Sequence, residues 1–181
     1  GDKQVKDWLG PVFCGKHFAQ YISRDRKGRQ RWEIAAAWVA QLTAAIRKHD
    51  EQALVTVGLV PWSLDRKGLT SGFVPERIHE PLDFIAMHIY PESGKLEEAI
   101  ETVKGFDVGK PIVIEETFPL KCSPDELLAF IDQTKPITAG WISFYWGKPA
   151  EELRESKKLG EAITAQWLDK FQGYQSKVNT D

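Results

Sequence analysis

Cysteine is scarce in this chain, with only Cys14 and Cys122 among 181 residues. Two cysteines so far apart in sequence define neither a disulfide scaffold nor a zinc site, and they leave the redox compartment open. Neither sign of charge is in excess: 24 Lys and Arg stand against 26 Asp and Glu, a formal net charge of −2. That balance resembles neither a basic nucleic-acid footprint nor an acidic tail, so no nucleic-acid partner is expected. Long apolar runs are missing too. None approaches the roughly 20 residues of a membrane-spanning helix, so no membrane partner is expected either. Gly1-Asp2-Lys3-Gln4 has no apolar stretch of the secretory-signal kind, as in a mature or trimmed chain. No Gly-rich phosphate loop, HExxH or CxxC is present.

What is there suits one domain over residues 1–181, a length that can bury a core without staples. Seven tryptophans supply flat apolar faces for a core or for stacking on a ligand. The opening, from Asp2 to Gly15, has no period and reads as a loop. Trp32, Ala35, Trp38, Val39, Leu42, Ala45 and Ile46 recur at helical spacing and predict an amphipathic helix from about Gln30 to His49. Ala53 to Leu59 is then a short β-branched run of the kind a doubly buried strand shows. The alternation repeats, with strands at Leu82–Tyr90, Lys110–Glu116 and Ile137–Trp146. Helices fall at Lys95–Lys104, after the Ser123-Pro124 start signal, and from Ala150 to about Phe171. Short apolar strands separated by helices predict an α/β class with a parallel sheet.

In such sheets ligands bind at the carboxyl ends of the strands. Here those ends carry Trp62, His88 with Tyr90, Glu115 with Glu116, and Tyr145 with Trp146, which should converge on one rim. Side chains alternate along a strand, so only one of Glu115 and Glu116 is expected to point into the site. Trp32, Trp38, Trp141 and Trp167 read as helix-to-sheet packing. The run Arg24-Asp-Arg-Lys-Gly-Arg-Gln-Arg31 lacks interleaved aromatics and reads as a solvated turn.

Lys110-Pro-Ile-Val-Ile-Glu-Glu116 resembles the seventh strand of cellulase-like glycoside hydrolases of clan A, typified by family five. His88-Ile-Tyr90 is similar to their sixth-strand His-x-Tyr, and Gly140-Trp-Ile-Ser-Phe-Tyr-Trp146 to their eighth strand. The helix and Leu54-Val-Thr-Val-Gly58 resemble the fourth helix and fifth strand. The resemblance implies the C-terminal half of a (β/α)8 barrel, with Glu116 as catalytic nucleophile. Tyr90 would hold that nucleophile, His88 would line the site, and Trp146, with Trp62 beside it, would contact the sugar. No cofactor or metal is implied. The family's acid/base Glu, in an Asn-Glu dipeptide, has no counterpart here. Retaining glycosidases need two carboxyl groups about 5 Å apart. The expectation is therefore a β-glucan- or β-mannan-type hydrolase fragment that does not turn over alone. Its partners would be a poly- or oligosaccharide and either an N-terminal half-barrel chain or a second copy pairing through open strand edges. The resemblance also suggests a secreted or periplasmic setting. The alternatives are a non-catalytic carbohydrate-binding or scaffold module of the same descent, and an unrelated open-sheet α/β domain.

Overall fold

The computed structural model describes residues 26–65 and 71–178, together with four two-residue strands nearer the N-terminus. These are β1 (Trp8–Leu9), β2 (Val12–Phe13), β3 (Lys16–His17) and β4 (Tyr21–Ile22). They pair antiparallel as β1 with β4 and β2 with β3, so β1 and β2 fall where a loop was expected between Asp2 and Gly15. The remainder of residues 1–25, including Cys14, Arg24 and Asp25, lies outside the described residues.

Helix α1 (Arg31–Arg47) forms where the helical period predicts it. The Glu33 carboxylate accepts from the Gln30 backbone N–H at 2.6 Å, which satisfies a donor at the helix start. Ala35, Val39 and Thr43, one helical turn apart, are its buried face. Trp32 and Trp38 do not pack inward as expected. Both are exposed: Arg77 sits 4.9 Å from the Trp32 ring, and Trp38 meets Phe73 edge-on at 5.7 Å. At the other end of α1, Arg47 bonds the Ala53 carbonyl and the Asp83 carboxylate.

The edge strand β5 is short, only Gly58–Leu59, after a lead at 53–57 that forms no regular element. That lead is tied down by the Asp83 N–H donating to the Val55 carbonyl at 2.9 Å and the Thr56 hydroxyl donating to the Phe84 carbonyl at 2.8 Å. A 3-10 turn (Pro61–Ser63) and α2 (Pro75–Ile78) lead to β6 (Ile85–His88). Then follow α3 (Leu96–Lys104), β7 (Ile112–Thr117), α4 (Pro124–Thr134) and β8 (Gly140–Ser143). The N-terminus of α4 carries the predicted cap: Ser123 Oγ accepts from the Glu126 N–H at 3.2 Å, and Glu126 returns a bond to the Ser123 N–H at 2.8 Å. The closing segment is two helices rather than one, α5 (Ala150–Arg154) and α6 (Leu159–Val178). Between them Ser156 Oγ takes the Lys158 N–H at 3.2 Å, a local bond that competes with helix continuation.

The sheet is all parallel, in the order β5-β6-β7-β8, and helices flank it, as the α/β expectation holds. Its core lies on the helix side. Ile85, Met87, Ile112 and Ile114 pack there with Val103, Phe106, Leu127, Phe130, Ile131 and Trp167. On β8, Trp141 donates to Thr134 Oγ1 of α4 and Trp167 of α6 donates to Ser143 Oγ, which fixes the odd-numbered residues toward the helices. By alternation Ile142 and Phe144 face the other way. Both are exposed, so this side of the edge strand has no covering layer among the described residues.

Candidate functional site

Three parallel strands end beside one another, and the residues that close them meet. The Tyr90 hydroxyl, just beyond β6, donates to Glu116 Oε1 on β7. His88 Nδ1 lies 3.0 Å from the other Glu116 oxygen. Both oxygens of Glu116 are thus engaged from the neighbouring strand. Partial burial, and then the adjacent Glu116 carboxylate, push the Tyr90 phenol above its ordinary pKa, so it stays protonated and donating.

Alternation predicted that only one of the two glutamates could take part, and here the structure differs. β6 pairs in step with β7 from Ile85↔Ile112 to Met87↔Ile114, but His88 then pairs with Glu116. The ladder to β8 likewise passes from Ile114↔Trp141 to Thr117↔Ser143. Both shifts mark one extra residue in β7 at Glu115–Glu116. A bulge of this kind re-aims side chains. His88 therefore sits between two carboxylates, with Nε2 3.9 Å from Glu115 Oε2. That oxygen is enclosed and has no hydrogen-bond partner, as is also true of Thr117 Oγ1. Gly58 of β5 makes room for the arrangement: a Cβ there would lie 2.7 Å from His88 Nε2 and 3.5 Å from Glu115 Oε2.

Of the predicted site residues, Glu116, Tyr90 and His88 are brought into one cluster. Trp146 and Trp62 are not. Trp146 is 102% exposed beyond β8 and Trp62, on the 3-10 turn after β5, is 59% exposed, and both stand outside this hydrogen-bonded cluster. The aromatic that does reach the cluster is Phe144, edge-on to Tyr90 at 6.5 Å. It was legible in principle, since it stands directly after β8 and by alternation shares the outward side of Ile142.

A brace of charged and hydroxyl groups holds the loops above the cluster. Glu92 accepts from Lys121 and Lys95, which lower its pKa to about 2. Glu126 accepts from Ser93 and Ser123, and these neutral donors lower it to about 2 as well. Cys122 is pushed up to about 11, first by burial and then by Glu126, and does not behave as a reactive thiolate. Among the described residues no three His, Cys, Asp or Glu side chains are grouped as a metal ion would need. No described helix is long and apolar enough to cross a membrane.

No family model matches the chain, and no solved structure matches it. Over 73 residues it is 36% identical to Large ribosomal subunit protein bL20 of Dinoroseobacter shibae, a match covering 38% of this chain and 56% of that protein. The chain thus spans about half the length of this relative. The finding corrects the sugar-cleaving reading, because the protein it points to is by name a part of the large ribosomal subunit and not a hydrolase. The glycoside hydrolase fragment, its carbohydrate-module alternative and the enzyme assignment are set aside on it. So are the partner expectations, namely a saccharide with a half-barrel chain or second copy, and the exclusion of nucleic acid.

Proposed function

We propose that this chain binds single-stranded RNA along the open side and carboxyl-terminal rim of its sheet. The observation that carries the reading is the exposed aromatic surface there. Phe144 is 57% exposed at the end of β8 and Trp146 stands beyond it, while Trp62 is exposed on the turn after β5, at the opposite edge of the sheet. Exposed aromatics on a sheet are the platform on which unstacked bases lie, and each stacked base contributes about 1–3 kcal/mol. A net charge of −2 provides no long-range attraction for phosphate, so any attraction has to be local. The entry to α1 offers it, with Arg26, Lys27 and Arg29 ahead of the helix and Arg31 at its first position. α1 runs from that segment to Arg47, which is bonded beside the starts of β5 and β6. Its basic N-terminus therefore lies toward the strand ends, with Trp32 and Arg77 stacked next to it. This entry segment is a basic patch with the Trp32 ring beside it. The ribosomal relative favours RNA as the polyanion.

For the fold, we infer that the four β/α units correspond to strands five to eight of a (β/α)8 barrel of the clan A type. The parallel order and the His-x-Tyr and Glu-Glu strand ends support this descent, to which no activity is attached.

The test is fluorescence anisotropy with a labelled mixed-sequence 16-nucleotide RNA between 50 and 200 mM salt. Engagement of the four cations gives a log–log salt slope of about −3, at roughly −0.7 per phosphate neutralised. Replacing Arg26, Lys27 and Arg29 with Ala reduces the slope by about 2. Absence of binding at 50 mM salt and 100 µM protein overturns the proposal.

A further inference from the structure

We infer that the bulged Glu115 forms a guanine-selective subsite within this RNA-binding surface, an inference that rests on the proposed RNA function. Of the two carboxylates beside His88, Glu116 is committed at both oxygens, to Tyr90 and to His88. Glu115 is not. Its nearest recorded partner is His88 Nε2 at 3.9 Å, beyond hydrogen-bond distance, and its enclosed Oε2 has no donor. The rest of the side chain is 39% exposed, so the group is reachable from the open side of the sheet. The terminal torsion of a glutamate is soft and roughly two-fold, so the carboxylate turns toward a ligand at little cost.

Chemistry narrows the occupant. A carboxylate only accepts, and it accepts best from two adjacent N–H groups in its own plane. Among the four RNA bases only guanine presents two adjacent donors, N1–H and N2–H, on its Watson–Crick edge. Adenine and cytosine place an acceptor ring nitrogen beside their single amino group, and uracil sets one N–H between two carbonyls. The space beside Gly58 is taken by His88, so a base reaches Glu115 from the exposed side of its side chain, and Phe144 beside Tyr90 supplies an exposed ring on which such a base can lie. No phosphate need approach the two carboxylates, because the contact is made through the base edge. The charge on the nucleic-acid backbone is met at the Arg26–Arg31 segment.

The experiment measures Kd for four U-rich hexamers that differ at one central base, guanine, inosine, adenine or cytosine, at a single salt concentration. Guanine binds at least tenfold tighter than adenine or cytosine, and inosine, which lacks only the N2 amino group, falls about tenfold below guanine. Glu115→Gln, which preserves size but makes one oxygen a donor, reduces the guanine-to-adenine ratio below about threefold. If all hexamers bind alike, the guanine subsite is wrong while the RNA reading stands. If none binds, both fail. Binding of arginine amide with a lower Kd than the guanine hexamer would identify a guanidinium as the occupant and overturn the inference.

Discussion

Gly58→Ala tests whether the His88 cluster is tightly determined, and the structure fixes the sign of the outcome. The Gly58 backbone lies outside the left-handed region, so alanine meets no backbone strain. On that ground alone the change should stabilise the chain by about 0.4–1 kcal/mol, because alanine restricts the unfolded state. The added methyl, however, lands 2.7 Å from His88 Nε2 and 3.2 Å from Cε1. The imidazole has to withdraw by about 0.7 Å to reach ordinary contact at 3.4 Å. It cannot do so freely, because Nδ1 is seated 3.0 Å from a Glu116 oxygen whose partner oxygen is held by Tyr90. Overpacking of this kind costs about 1–3 kcal/mol, which outweighs the entropic gain. The net expectation is a loss of about 1–2 kcal/mol in urea unfolding followed by tryptophan fluorescence, with displaced His88 ring resonances. In a His88→Ala background the obstacle is gone, and the same substitution should become neutral or stabilising. A Gly58→Ala protein as stable as the parent, with unmoved His88 resonances, would refute the reasoning.

Other substitutions separate the remaining parts of the fold. Trp167→Ala removes a fully buried ring that stacks on Phe171 at 5.1 Å and leaves Ser143 Oγ without its donor. A loss of about 3–5 kcal/mol in chemical denaturation is expected, and a loss under 1 would show the packing to be looser than described. Ser123→Ala deletes the α4 cap and should cost about 0.5–2 kcal/mol, read as a lowered urea midpoint. Glu92 and Glu126 both have depressed pKa values near 2, so their stabilisation is present above the unfolded value of about 4.3 and is lost as pH falls toward 2. Amide exchange at the starts of α3 and α4 should accelerate across that window. Added salt should weaken the lysine-held Glu92 share and spare the serine-held Glu126 share, and an equal effect on both would refute the assignment. Tyr90, whose phenol is shifted upward, should ionise last in an alkaline absorbance titration, and Tyr90→Phe should abolish that last step.

How much of this was legible beforehand depends on the kind of signal each residue carries. Periodicity located α1, and the Ser-Pro start located α4, because each rests on short-range geometry that tertiary context did not override. The apolar runs located β6 and β7 for the same reason. Local cues failed where competition between local bonds decided the outcome, as when Ser156 interrupted the closing helix. They also failed where an apolar pattern has no partner. The helical period of Trp32 and Trp38 marks a face, but it cannot say whether anything lies against that face. Within the site, strand order brought Tyr90 and His88 to Glu116 as expected. The participation of Glu115 was hidden because strict alternation assumes an unbroken ladder, and no residue between Ile114 and Thr117 announces a bulge.

The bulge also explains how one short strand serves two demands. Ahead of it, Ile112 and Ile114 send every second side chain into the helix-side core, a requirement of stability that leaves no freedom of direction. An unbulged β7 would have continued that pattern, with Glu116 directed into the apolar layer, where an ionised group has no solvent and no donor. The extra residue resets the register at the strand's end, so that Glu115 and Glu116 both turn to His88 while Thr117 returns to the buried side. The edge strand β8 follows the same division without a bulge: Trp141 and Ser143 bond the helices, and Ile142 and Phe144 face outward. Stability is thus assigned to one face of the sheet, and the other face is left for the proposed RNA contact. This is why the open face can carry exposed aromatics and a carboxylate with an unmatched oxygen without weakening the core beneath it.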